Sequence, residues 1–212
     1  MSTIPPKQTI VITGATGGIG YALAVEYAAP GATLLLHGRR QDVLDRLATV
    51  CRGAGATVET AAFDIRDQNQ LLAWLGAASA RMPLDLVFAN AGVNIDVGPN
   101  SEGEHWEDVQ MLFDVNLRAV LATVQGVLPA MRARRSGQIV LMSSLAAYRG
   151  LPITPSYSAS KAAIKVYGEG LRDWLAADGV KINVVMPGYV ESKMCHEMPG
   201  PKPFLMKPGQ AA

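Results

Sequence analysis

The sequence predicts an α/β fold, a doubly wound parallel sheet in a single domain. Three observations predict it. Short apolar runs of strand length alternate with longer stretches of helical periodicity, the pattern of a parallel sheet covered on both faces. A glycine-rich turn joins the first such run to the first helix. The chain has 212 residues, 49% hydrophobic and 17% charged, enough for one domain with a sizeable core. No internal repeat or linker divides it.

The elements follow in order. Residues 9–13 are a short apolar strand, and the helix after the glycine turn runs to about residue 28. Residues 33–37 form the second strand and 41–52 the second helix. Residues 57–63 form the third strand and 68–80 the third helix, which Asp67 caps. Residues 84–89 are the fourth strand, and a long helical stretch lies within 106–134. Residues 138–142 form the fifth strand. Pro155 and Ser156 start a helix that carries apolar residues at helical spacing from Tyr157 to Leu175. Residues 181–186 form the sixth strand. From Pro187 the chain changes character, and the prolines at 199, 201, 203 and 208 forbid a long regular helix. Residues 188–212 therefore read as a loop over the site, a mobile segment, or both. The closing Gly-Gln-Ala-Ala reads as the opening of another helix, as if more chain should follow.

Composition excludes several roles. A formal net charge of +1 suggests neither nucleic acid nor an anionic membrane as a partner. Arg132, Arg134 and Arg135 form the one basic cluster, at a helix end where cations suit the dipole. Cys51 and Cys195 are far apart and imply no disulfide framework, so a reducing, cytoplasmic setting is expected. His37, His105 and His196 lack metal-ligand spacing, and no metal is expected. The first seven residues lack the apolar core of a signal peptide. No apolar run reaches about 18 residues, so no membrane span is expected.

Tyr157 and Lys161 carry the chemistry. A free phenol, with a pKa of about 10, is a poor acid–base catalyst at neutral pH. A lysine four residues on lies one helical turn away, on the same face. A unit charge about 5 Å away is worth roughly 3 kcal/mol at an effective dielectric of about 20, a little over two pKa units. Lys161 is therefore expected to lower the phenol toward a useful range, with Ser144 holding the same substrate oxygen. The alternative is a surface pair that supports a helix. A second pair, Tyr189 and Lys193, follows Pro187-Gly188, where a continuous helix is not expected.

The turn Thr13-Gly14-Ala15-Thr16-Gly17-Gly18-Ile19-Gly20 suits a dinucleotide. Glycines let the backbone approach a pyrophosphate, whose charge the helix N-terminus favours. A tight turn that binds nothing is the alternative. The second strand ends His37-Gly38-Arg39-Arg40, where NAD-preferring folds place an acid. Arginine pairs with a 2′-phosphate, so NADP is expected over NAD, unless both arginines are only solvated charges. Asp64 either accepts from an adenine amino group or caps the next helix. Asn90-Ala91-Gly92 lies at the carboxyl edge where ligands bind, or is a plain turn.

Together these residues resemble the short-chain dehydrogenase/reductase family, a Rossmann-type fold, from about residue 9 to residue 192. The motifs stand in family order: Thr13-Gly14-x-x-x-Gly18-x-Gly20, Asn90-Ala91-Gly92, Asn116, Ser144, Tyr157-x-x-x-Lys161 and Pro187-Gly188. The resemblance implies an NADP-dependent oxidoreductase that moves a hydride between nicotinamide and a carbonyl or secondary alcohol. It implies a catalytic set of Asn116, Ser144, Tyr157 and Lys161. Tyr157 would be the general acid or base, Lys161 would lower its pKa and hold the nicotinamide ribose, and Ser144 would polarise the substrate oxygen. Asn116 would hold a water that links Lys161 to solvent, or else pin a helix kink.

The cofactor would be bound by Gly14, Thr16, Gly18, Ile19, Arg39, Asp64, Ile65, Asn90, Ala91, Gly92, Tyr157, Lys161, Pro187, Gly188 and Val190. Ser192 stands where the family carries a threonine near the cofactor amide. Members commonly continue with a further helix and a seventh strand, which this chain would lack. A homodimer through the long helix and the Tyr157 helix is implied, with a tetramer as the alternative. Met194, Met198, Phe204, Leu205 and Met206 read as an apolar lid, as core, or as an interface. A non-catalytic dinucleotide-binding regulatory or scaffolding protein on the same fold is the competing function.

Overall fold

Parallel pairing fixes the architecture. The computed structural model describes residues 8–212, so the N-terminal segment discussed above, residues 1–7, lies outside it. Six strands form one sheet: β1 (Thr9–Ile12), β2 (Thr33–Gly38), β3 (Thr57–Ala62), β4 (Leu86–Ala89), β5 (Gly137–Met142) and β6 (Val180–Val185). Their order is β3-β2-β1-β4-β5-β6, and every pair is parallel. The chain order reverses between β1 and β4, which leaves a crevice at the carboxyl ends where such sheets bind ligands.

Alternation along the strands feeds two cores. Val11, Leu35, Val87, Ile139 and Leu141 point to one face. They pack under α3 (Gln68–Arg81), α5 (Ala119–Arg134) and α6 (Pro155–Leu175). Ile10, Ile12, Leu34, Leu36, Phe88 and Val140 point to the other, under α1 (Gly18–Glu26) and α2 (Gln41–Gly53). Both faces are apolar, so the inner strands read as continuous runs, while the edge strands β3 and β6 keep exposed positions. Asp67 caps α3 as expected, with its Oδ1 accepting from Gln70 N at 3.0 Å.

The stretch 106–134 departs from a plain helix. α4 (Trp106–Phe113) passes into a π-turn, Asp114–Arg118, before α5. By length and composition alone the whole stretch could cross a bilayer, although no unbroken apolar run within it reaches 18 residues. Its Val120, Val124, Val127, Leu128 and Met131 are instead buried in the first core, which makes it a core helix. In the tail the prolines leave only α7 (Lys193–Glu197) and α8 (Pro208–Ala211). The tail folds back on itself, because Met206 N donates to Tyr189 O and Glu191 N to Met206 O, both at 2.9 Å. Cys51 and Cys195 are both buried free thiols.

Candidate active site

The site assembles at the carboxyl ends of β1, β4, β5 and β6. After β1 the backbone turns through Gly14 at φ +68°, and a side chain there would put its Cβ 2.8 Å from Ala91 Cα. Gly20 sits equally close, since a Cβ would lie 2.3 Å from the Gly14 carbonyl oxygen. Glycine is required at both places so that α1 can begin hard against the sheet. Thr13, buried at the end of β1, ties the turn to β4. Its hydroxyl accepts Asn90 N at 3.0 Å and Ala91 N at 3.1 Å. The Asn90 amide donates to the Thr13 carbonyl at 2.9 Å and the Gly14 carbonyl at 3.3 Å. Asn90 therefore holds the glycine turn in shape, and its donors are spent there. Nothing in the sequence singles out Thr13 for this role.

The start of α1 fits an anion. Its N-cap, Gly17, makes no side-chain bond to the first-turn N–H groups, and no acid lies in that turn. The Glu191 carbonyl and Ser192 pack against Gly18, so the tail crosses this helix start. Ser192 spends its hydroxyl within the tail, where it accepts Cys195 N at 3.1 Å to cap α7. Arg39 is exposed at the end of β2, while Arg40 donates to the Thr16 carbonyl. Asp64 caps nothing. Its carboxylate takes the Arg66 guanidinium at 2.6 Å and the Arg66 amide at 3.0 Å, and these hold it below the usual carboxylate range. Ile65 is buried beside it in the core.

Asn116 lies in the π-turn and is fully buried. Its amide donates to the Val93 carbonyl at 2.9 Å and to Ser160 Oγ at 3.1 Å, and its oxygen accepts Val93 N at 2.8 Å. These bonds pin the helix distortion to the loop after β4 and to α6. π-turns of this kind gather at functional sites.

Ser144 follows β5 and Tyr157 and Lys161 come from α6. Ser143 Oγ donates to the Lys161 carbonyl at 2.7 Å, which fastens α6 to the end of β5. Ser144 Oγ accepts Ala146 N at 3.1 Å within a 3-10 turn, Leu145–Ala147. Leu145 N donates to Pro187 O at 3.0 Å, so the Pro187-Gly188 turn after β6 lies beside Ser144. Val190 is buried further on, at the bridge to Met206. A Cβ on Gly92 would lie 3.4 Å from both Asn116 Oδ1 and Lys161 Nζ, which places the lysine next to the β4 turn. The predicted residues thus converge, from the glycine turn through Asn90 and Gly92 to Lys161.

The electrostatics differ from the sequence argument. The Lys161 ammonium stands 5.6 Å from the centroid of the Tyr157 ring, near the distance assumed. It is buried, donates to the Met142 carbonyl at 2.9 Å, and burial lowers its pKa to about 8. Burial also pushes the Tyr157 phenol above its ordinary value of 10.0, and the facing Ser144 hydroxyl pulls it down by less. The expected net lowering is therefore reversed in the protein alone. Spacing counted the charge and left out the desolvation of both groups.

Comparison with known proteins adds the following. A family model described as short chain dehydrogenase matches residues 8–201. An uncharacterized oxidoreductase of Myxococcus xanthus is 38% identical over 94% of this chain and 79% of its own length. The ketoacyl reductase HetN of a Nostoc species is 34% identical over 90% of this chain and 66% of its own. The structure of L-sorbose reductase from Gluconobacter frateurii, complexed with NADPH and L-sorbose, superposes with a TM-score of 0.82 at 26% identity. It covers 91% of this chain and 73% of that one. A 3-oxoacyl (acyl-carrier-protein) reductase from Agrobacterium tumefaciens, with NADP bound, shares the fold at a TM-score of 0.86 and 24% identity, covering 97% of this chain and 84% of that one.

Proposed function

The chain belongs to the short-chain dehydrogenase family, and on that premise we propose that it reduces a carbonyl compound with NADPH, using Tyr157 as the proton donor. One observation carries the reading. Ser144, Tyr157 and Lys161 meet at the carboxyl edge of the sheet, on the same crevice as a helix start that no side chain caps.

The residues take these roles. The α1 N-terminus and the glycine turn hold the pyrophosphate, and Arg39 pairs with the 2′-phosphate that distinguishes NADP. Asp64 keeps lone pairs for an adenine amino group. When bound, the cofactor supplies the hydride to the carbonyl carbon. Negative charge then builds on the carbonyl oxygen. The Ser144 hydroxyl donates a hydrogen bond to it, and the Tyr157 phenol gives it the proton that completes the alcohol. The Lys161 ammonium stabilises the phenolate left behind. Held above its ordinary pKa in the protein alone, the phenol carries at neutral pH the proton that reduction requires. Asn116 holds the π-turn and the loop after β4 in place around Lys161.

Residues 188–212 close over the substrate, and the two chains of a homodimer meet through α5 and α6. Exposed Val166 and Trp174 on α6 support that contact, and two free thiols suit a reducing cytoplasmic setting. The test uses NADPH deuterated at the transferred position with a panel of ketones and aldehydes. Deuterium should appear on the carbinol carbon of at least one product. Cofactor binding without transfer to any compound would refute the reading.

A further inference from the structure

α6 begins without a cap of its own. Thr154, the residue before it, makes no side-chain bond to the first turn. Its hydroxyl instead lies 2.6 Å from Asn94 Oδ1 and 2.6 Å from the Ile95 carbonyl. Pro155 has no N–H to offer. The first orphan donor of the helix is therefore Ser156 N, and it is met by a carboxylate 52 residues away in sequence. Glu104 Oε1 accepts Ser156 N at 3.0 Å, with Oε2 at 3.3 Å. The Ser156 hydroxyl donates to Glu104 Oε2 at 2.5 Å. Bonds to an ionised acceptor are short and roughly twice as strong as neutral ones. A carboxylate at this end also complements the helix dipole.

The next residue is Tyr157. Its partner Ser144 is held by other means, through Ala146 N, and Leu145 beside it is tied to Pro187. A first turn that frays moves the phenol while Ser144 stays. Glu104 also lies at the end of the loop after β4, which meets the approach to α6 a second time where Val97 N donates to Ile153 O at 3.1 Å.

We propose that Glu104 is a positioning residue for proton transfer: its carboxylate clamps the first turn of α6 so that the Tyr157 phenol meets the substrate oxygen. This rests on Tyr157 as the proton donor. Misplacement of a catalytic group by about 1 Å costs on the order of 100-fold in rate, so loss of the clamp falls on kcat.

The experiment compares Glu104→Ala and Glu104→Gln in the full chain, with NADPH and the best carbonyl compound of the panel. Glu104→Ala should lower kcat by about ten- to a hundredfold and leave the KM for NADPH within about twofold. Glu104→Gln keeps one acceptor oxygen for Ser156 N and should recover kcat to within about threefold. Amide hydrogen exchange gives a readout independent of turnover. The Ser156 amide should exchange about tenfold faster in Glu104→Ala, with residues 161–175 unchanged. A Glu104→Ala kcat within about twofold of the parent, or an unchanged Ser156 amide, overturns the proposal. So does faster exchange along all of α6 that Gln fails to rescue, the mark of a general loss of stability. Tyr157→Phe separates the two readings. If it stays active, the assignment of Tyr157 fails; if it is dead and Glu104→Ala is fully active, only the clamp fails.

Discussion

His37 makes the fold sensitive to mild acid. It lies near the end of β2, 2% exposed, with its ring centroid 4.3 Å from that of Phe63 and 5.9 Å from that of Trp74. Nε2 donates to the Phe63 carbonyl at 3.1 Å, while Nδ1 has no partner. Burial lowers the imidazole from 6.5 to about 4, against smaller raising effects from Phe63 and Asp64. Between those two values the unfolded chain binds a proton that the folded chain refuses. Stability is therefore full above pH 6.5 and is lost as the pH falls toward about 4. The whole shift is worth about 3 kcal/mol, of which about 2 kcal/mol is gone by pH 5. Asp42, Glu59 and Asp64 sit below their ordinary values of 3.8, 4.5 and 3.8, so their contribution holds at pH 5 and is lost as the pH falls below about 4.5. Urea unfolding at pH 7 and pH 5 should show the loss, and His37→Phe, which cannot titrate, should remove most of it. An equal loss in the parent and the variant, or a His37 resonance titrating near its unperturbed value, would refute the reasoning.

Two further outcomes follow from the cofactor crevice. Gly20→Ala places a Cβ 2.3 Å from the Gly14 carbonyl oxygen and 2.7 Å from Asn90 Nδ2. It should cost about 1–3 kcal/mol in thermal or urea unfolding and weaken NADPH binding measured by fluorescence titration. Arg39→Asp should weaken NADPH by about tenfold or more and leave NADH binding equal or better, since a carboxylate repels the 2′-phosphate. Equal losses for both cofactors would mean that Arg39 does not read that group.

The inner strands were legible because they are buried on both faces and read as unbroken apolar runs, such as residues 34–36 and 139–142, whereas the edge strands β3 and β6 keep exposed positions. The site residues were legible because they stand at strand ends and on one helix face. What sequence could not give depends on burial and on distant partners. Asn116 carried a hint of a kink, but the π-turn shows only once its amide is seen bonded to Val93 and Ser160. The direction of the Tyr157 shift was misjudged because spacing reports a charge and not the water stripped from it. Glu104 left no local signal, since its partner lies 52 residues on. Asp64 competed for the cap that Asp67 in fact provides.

Proton donation by the phenol is best tested by removing one oxygen. Tyr157→Phe keeps the ring above Lys161 and the cofactor crevice, so NADPH affinity should stay within about twofold while kcat falls by at least about a hundredfold. A variant that binds NADPH normally and still turns over at the parent rate would contradict the account.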